Sequence, residues 1–254
     1  MGVRTGAASD IGLVRESNED SLLVGSAVFA VADGMGGHAA GEVASAMAVE
    51  HLRALDGRDD LRPDDIRDAL AAANTAIRAA GQADPERTGM GSTVTGLALV
   101  AQAGSPHWVV FNLGDSRVYR YAGGVLELLT ADHSEAAELV AAGRLTPEQA
   151  RTSPFRNVIT RALGVHHGVD PDHLVIPAVA GERFLLCSDG LNGELDDDRI
   201  AAVLRATPDP GAAAEELVRQ AVAAGGRDNV TVVVVDHVPD DTPEDGGAPP
   251  GSAP

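Results

Sequence analysis

Val28-Phe29-Ala30-Val31-Ala32-Asp33-Gly34-Met35-Gly36-Gly37 is an apolar run that breaks on an aspartate and a glycine-rich turn. The five apolar residues read as a buried strand, and Asp33-Gly34 ends it. Beyond the turn, residues 39–55 carry Ala, Met, Glu and Leu at helical spacing. A second helix is expected from about residue 63 to residue 80, with Pro63 in its first turn and Asp64, Asp65 and Asp68 near its positive end. Gly81 is expected to close it.

Further along, the period changes. Residues 93–100, 107–113, 117–121 and 125–129 read as consecutive strands, with Gly123-Gly124 as a hairpin turn. Residues 134–142 and 147–152 form short helices around Gly143, and 174–179 and 183–187 are two more strands. Helices over 197–206 and 211–224 precede a closing β-branched run, Asn229-Val230-Thr231-Val232-Val233-Val234-Val235. Helices and strands thus come in blocks with no internal repeat, which predicts an α+β fold of mostly antiparallel sheet covered by helices.

The composition narrows the function. Nineteen basic against 38 acidic residues leave a formal charge of −19, which argues against nucleic acid or an anionic membrane as partner. The single cysteine, Cys187, excludes an internal disulfide and fits a reducing compartment. No apolar run is long enough to span a membrane, and the first residues lack the pattern of a signal peptide, so a cytoplasmic monomer is expected. Residues 239–254 hold five of the 14 prolines and four acids without a base. They read as a disordered tail after a domain covering 1–238.

Several strands end in carboxylates: Asp33, Asp115 after Leu113-Gly114, and Asp189 after Leu185-Leu186-Cys187-Ser188. Glu19-Asp20 and Asp228 stand just before strands. One Asp-Gly alone is a turn. As a set, such residues can converge on one edge of a sheet. Two carboxylates about 4 Å apart repel by roughly 4 kcal/mol at an effective dielectric near 20, so a cluster needs protons or cations. The donors are oxygens without zinc-type Cys or His spacing, which selects Mg²⁺ or Mn²⁺ and points to chemistry at phosphorus. Arg15 supplies a guanidinium fork for phosphate oxygens, with a surface ion pair as the plainer reading. Cys187, inside an apolar strand, reads as core, and His133, His166 and His167 read as polar loop residues.

Six motifs stand in family order: Arg15-x-x-Asn18-Glu19-Asp20, Asp33-Gly34-Met35-Gly36-Gly37-His38-x-x-Gly41-Glu42, Gly91-Ser92-Thr93, Gly114-Asp115-Ser116-Arg117, Cys187-Ser188-Asp189-Gly190 and Asp228-Asn229-Val230-Thr231. Over nearly all of residues 4–238 the chain resembles bacterial protein phosphatases of type 2C, the metal-dependent serine/threonine phosphatases. The resemblance implies a β-sandwich of two mostly antiparallel sheets flanked by helix pairs, in α-β-β-α layers. It implies two metal ions, with a weaker third. Asp33 would bridge the pair, the Gly34 carbonyl would bind the second ion, and Asp189 and Asp228 would hold the first. Asp20 and Glu19 would act through water, and Asp115 with Asp189 would bind the third ion.

By the same resemblance, Arg15 binds the phosphate, and a hydroxide bridging the metals attacks phosphoserine or phosphothreonine without a phospho-enzyme. Where eukaryotic relatives place a general-acid His this chain has Met35, which leaves His38 or a metal-bound water as proton donor. Residues 143–157 correspond to a flap whose Arg144, Arg151 or Arg156 would contact substrate flanks, and whose Asn157 would add an oxygen to the third metal. The implied partners are phosphorylated proteins, including Ser/Thr kinases and their targets. A catalytically dead phosphoprotein reader and a calcium-stabilised structural domain are the alternatives. The first fits poorly with the presence of Asp33, Asp189 and Asp228, the second with the lack of a compact calcium loop.

Overall fold

The computed structural model describes residues 2–36, 40–102 and 104–239. The run read first above is strand β3 (Val28–Met35), the spine of one sheet. Before it come β1 (Gly2–Asp10) and β2 (Asp20–Val24). Helices α1 (Ala40–Arg53) and α2 (Pro63–Ala83) follow. The strand-rich middle holds β4 (Gly91–Ser92), β5 (Val94–Gln102), β6 (Ser105–Leu113), β7 (Arg117–Ala122) and β8 (Val125–Leu128). Then come α3 (Glu135–Ala141), α4 (Pro147–Arg151), β9 (Asp172–Pro177) and β10 (Arg183–Cys187). The chain finishes with α5 (Asp189–Asn192), α6 (Asp197–Ala206), α7 (Pro210–Ala224) and β11 (Val230–Val238).

The strands form two sheets, ordered β1-β11-β10-β7-β8 and β2-β3-β5-β6-β9, with β4 added to β3. Neighbours are antiparallel throughout the described residues. The period-2 alternation sends one face of each sheet inward, where Phe29, Val31, Leu97, Trp108, Phe184, Leu186, Val233 and Val235 meet between the sheets. The outer faces carry helices. Ala40, Ala44, Ala48 and Leu52 of α1 and Ile66, Leu70 and Ile77 of α2 close over β2-β3-β5-β6-β9. Ile200 and Leu204 of α6, with Ala214, Leu217 and Ala221 of α7, close over the other sheet. These are the α-β-β-α layers that the motifs implied.

One local expectation is corrected and one strand is added. The second helix does not stop at Gly81 but runs on to Ala83, after which Pro85–Arg87 turns back under the cap of Asp84. Strand β1 carries no strand signal in its sequence, yet it pairs along its whole length with β11. Its small residues have a packing cause: a Cβ at Gly6 would lie 2.2 Å from the backbone nitrogen of Gly211, so α7 reaches β1 only over a glycine. Among the described residues no helix is long and apolar enough to cross a membrane. The tail expectation falls on residues 240–254, outside the described residues.

Antiparallel pairing decides where the acids go. The C-terminal ends of β3, β6 and β10 and the N-terminal ends of β2 and β11 share one rim, so Asp33, Asp115, Asp189, Asp20 and Asp228 meet there.

Candidate active site

Asp20 and Asp33 are register partners on β2 and β3, directly opposite each other. Cross-strand side chains of this kind stand about 5 Å apart at Cβ, so two carboxyls face each other by construction. Asp33 is fixed from behind by hydroxyls. Its N–H donates to Thr93 Oγ1 at 3.0 Å, and its carbonyl accepts from Ser92 Oγ at 3.1 Å. Thr93 Oγ1 in turn shares a 2.8 Å bond with Ser116 Oγ, coupling Asp33 to the Gly114-Asp115-Ser116 turn. The next residue is glycine for steric reasons: a Cβ at Gly34 would lie 2.2 Å from the Gly41 carbonyl oxygen and 2.6 Å from that of Glu19.

The other sheet brings its acids to the same place. Ser188 Oγ donates to Asp20 Oδ2 at 2.7 Å and accepts the N–H of Thr231 at 2.9 Å, which ties β10 and β11 to β2. Asp189 and Asp228 follow from the ends of β10 and β11. Arg15 Nη2 donates to Asp228 Oδ2 at 2.6 Å. Together Arg15, Glu19, Asp33, Gly34, Asp115, Asn157, Asp189 and Asp228 line a cavity of about 320 Å³. Among the described residues Arg15 is the one base that lines it. Asp20, the register partner of Asp33, lies outside that lining.

The electrostatics are those of charge crowded away from water. Burial pushes the Asp20 carboxyl up to about 7, with Asp189 and Asp228 adding to the rise and Ser188 and Thr231 opposing it. Asp33 is raised well above the usual carboxylate range by burial and then by Asp20, Asp189 and Asp115. Burial raises Asp115 as well, followed by Asp189, and lifts Asp189 to about 6, followed by Asp228. Glu19 rises chiefly by burial. Arg15 is raised by its bond to Asp228.

Among the described residues, no three of these side chains already close on a common point as a finished metal shell. The donor set nevertheless fits a hard divalent ion. Every candidate donor is an oxygen, and Asp20 Oδ1 and Asp189 Oδ1 are buried without a hydrogen-bond partner.

The remaining expected residues divide. Asn157 lines the cavity, whereas Arg144, Arg151 and Arg156 are exposed and do not. His38 lies outside the described residues. Cys187 is buried in the core, where burial pushes its thiol up to about 12. His166 and His167 sit in an exposed loop. His133 is a polar loop residue as read, but a buried one: it is 2% exposed, its Nδ1 accepts the N–H of Gly114 at 3.0 Å, and its Nε2 meets Asp172 Oδ2 at 3.2 Å. Asn229, quoted above only as part of a motif, binds three backbone groups around Arg15.

Comparison with known proteins agrees with this architecture. The family model "Protein phosphatase 2C" matches residues 15–223. The serine/threonine protein phosphatase PstP of Mycobacterium tuberculosis is 44% identical over 240 residues, covering 93% of this chain and 45% of that protein. This chain therefore spans about half of that relative. The serine/threonine phosphatase stp of Listeria monocytogenes is 35% identical over 241 residues, covering 90% of this chain and 94% of its own length. A crystal structure of the PstP catalytic domain in complex with two manganese ions superposes with a TM-score of 0.84 at 41% identity, covering 93% of this chain and 99% of that one. With two helix-covered antiparallel sheets, one carboxylate-lined rim and a family match across most of its length, the chain belongs to the protein phosphatase 2C family.

Proposed function

We propose that the chain is a metal-dependent protein phosphatase that hydrolyses phosphoserine and phosphothreonine in proteins and so opposes a Ser/Thr kinase. The observation that carries this reading is one cavity lined, among the described residues, by six acids, Glu16, Glu19, Asp33, Asp115, Asp189 and Asp228, and by one guanidinium, that of Arg15. The acids suit cations, and the guanidinium suits a phosphate dianion.

In this reading Asp33, the Gly34 carbonyl, Asp189 and Asp228 hold a pair of Mn²⁺ or Mg²⁺ ions, Asp20 and Glu19 act through water, and Asp115 with Asp189 takes a third. Asn157 adds an oxygen at the third site. Bound ions of this kind supply positive charge beside the phosphoryl oxygens and a solvent nucleophile at neutral pH. Arg15 has five N–H donors, so it can keep Asp228 while its other donors fork onto two phosphate oxygens. The Thr93 and Ser92 hydroxyls hold the Asp33 backbone in place. Direct hydrolysis is favoured over a phospho-cysteine because Cys187 is buried with its thiol pushed up to about 12. His38 is proposed to protonate the leaving oxygen. Arg144, Arg151 and Arg156 are proposed to meet the substrate on either side of its phosphoresidue.

Hydrolysis of a small aryl phosphate and of phosphopeptides, with Mn²⁺, Mg²⁺ or EDTA, tests the reading. Turnover with metal alone supports it, and turnover in EDTA counts against it. Bound metal without turnover would instead favour a metal-stabilised structural domain, and phosphopeptide binding without turnover a phosphoprotein reader. Arg15→Ala should raise KM for phosphopeptide more than it lowers kcat. Changing all three flap arginines to Ala should alter peptide selectivity while sparing the aryl phosphate.

A further inference from the structure

Asp189 and Asp228 arrive at the cavity on different segments, the first residue of α5 and the loop just before β11. Two side-chain ties bracket the pair. On one side Ser188 Oγ accepts the Thr231 N–H at 2.9 Å. On the other, Glu194, in the turn after α5, grips Arg227, the residue before Asp228. Glu194 Oε1 accepts the Arg227 backbone N–H at 3.0 Å and its Nε–H at 2.8 Å, and Oε2 accepts Nη2 at 2.9 Å. Arg227 Nη2 also donates to the Gly193 carbonyl at 3.0 Å, and the Gly193 N–H donates to the Asp189 carbonyl at 2.8 Å. Glycines let these segments close on each other. A Cβ at Gly225 would lie 2.6 Å from Glu194 Oε2, and one at Gly190 would run into the Asn229 carbonyl oxygen.

We propose that Glu194 and Arg227 are positioning residues for the metal centre: their clamp sets the separation of Asp189 and Asp228, and with it the affinity for the ion those two acids share. The inference rests on the phosphatase reading and deepens it, adding two residues that lie outside the quoted motifs and do not line the cavity. A pair of exposed charges would do little of this. Here the Glu194 side chain is 5% exposed while that of Arg227 keeps 66%, so the carboxylate is a buried anchor that the guanidinium fork and a backbone N–H both address. Asp189 and Asp228 carry like charges when ionised and repel each other before an ion arrives. A clamp that already holds their backbones together removes that rearrangement from binding.

Calorimetric titration of the metal-free full chain with Mn²⁺ tests the clamp, with urea unfolding in EDTA as a separate measure of stability. Arg227→Ala and Glu194→Gln should each weaken Mn²⁺ binding by about tenfold, the lower end of what outer supports of metal ligands contribute. Arg227→Lys keeps the charge and the backbone bond but not the fork, so it should fall between those variants and wild type. The double variant should bind no more weakly than either single one, because each removes the same clamp. In aryl phosphate turnover the half-saturating Mn²⁺ concentration should rise by the same factor, with a smaller change in kcat at saturating Mn²⁺. Wild-type Mn²⁺ affinity in the single variants, whatever their urea midpoints, or losses that add in the double variant, overturns the clamp while the phosphatase reading stands. A wild type that neither binds Mn²⁺ nor turns over with it overturns both.

Discussion

The side-chain carbonyl of Asn229 accepts the backbone N–H of Glu19 at 2.8 Å, while its amide donates to the carbonyls of Ile11 and Ser17. One residue, 6% exposed and adjacent to Asp228, therefore holds both ends of the loop that carries Arg15. Asn229→Ala should leave these backbone groups unpaired and cost about 2–4 kcal/mol of stability, read by urea unfolding. It should also raise KM for phosphopeptide, because the guanidinium loses its platform. Asn229→Asp keeps an acceptor for Glu19 but no donor, and it adds a charge beside Asp228, so its kinetic defect should be as large. Wild-type KM in both variants would remove Asn229 from the positioning of Arg15.

The facing pair Asp20 and Asp33 makes the cluster costly at neutral pH without cations. In the unfolded chain an Asp ionises near 3.8, whereas burial pushes folded Asp20 up to about 7 and raises Asp33 too. The folded state therefore keeps protons that the unfolded state has released. Stability drawn from these groups falls as pH rises from about 4 to about 7. Divalent ions need the ionised form, so in thermal unfolding Mn²⁺ or Mg²⁺ should raise the midpoint far more at pH 7.5 than at pH 5. Asp33→Asn should melt higher than wild type in EDTA at pH 7.5, yet lose the metal-induced shift and the hydrolysis. A wild-type midpoint indifferent to metal would contradict this.

Strand β3 and the acids at its rim were legible because each depends on a local signal, an apolar run broken by Asp-Gly. The convergence of the acids needed the motif order, since register partners such as Asp20 and Asp33 are set by pairing rather than by any short stretch. Strand β1 was not legible. Its Gly and Ala residues answer to α7, some 200 positions away, and lack intrinsic strand preference. Gly81 misled for the opposite reason: a glycine permits a helix end but does not enforce one, and α2 continues past it. His133 looked like loop polarity because its partner Gly114 lies 19 positions away, and the anchoring role of Asn229 stayed hidden because its partner Ile11 lies 218 positions away.

His133 gives a pH dependence of its own. Its Nδ1 accepts the Gly114 N–H, so the ring carries its proton on Nε2, toward Asp172. Burial lowers its pKa from 6.5, with Asp172 pulling the other way. The unfolded state takes up a proton near pH 6.5 and the folded state only below that. The contribution is therefore complete above pH 6.5 and declines as pH falls toward the lowered folded value. His133→Gln, with an oxygen for Gly114 and no titration, should be less stable than wild type at pH 7.5. The gap should narrow between pH 6.5 and 5 in urea unfolding, and a gap independent of pH would refute the tautomer and its role in holding the Gly114-Asp115 turn.

The core between the sheets contains a second histidine with a different consequence. His237 on β11 is 1% exposed, and neither ring nitrogen finds a hydrogen-bond partner among the described residues. Its ring stands edge-on to Trp108, with centroids 5.8 Å apart, and the Trp108 indole N–H is unpartnered as well. A buried polar group without a partner costs about 1–3 kcal/mol, whereas an apolar side chain of similar bulk carries no such penalty. His237→Leu should therefore stabilise the protein at pH 7.5 by about 1 kcal/mol, or roughly 2–4 °C in a chain of this size. Trp108 is the single tryptophan, so its fluorescence follows the transition directly at the altered site. Activity should not change, because His237 sits among inter-sheet side chains and does not line the cavity. A lower midpoint would mean that the imidazole contributes packing against Trp108 worth more than its unpaired nitrogens cost.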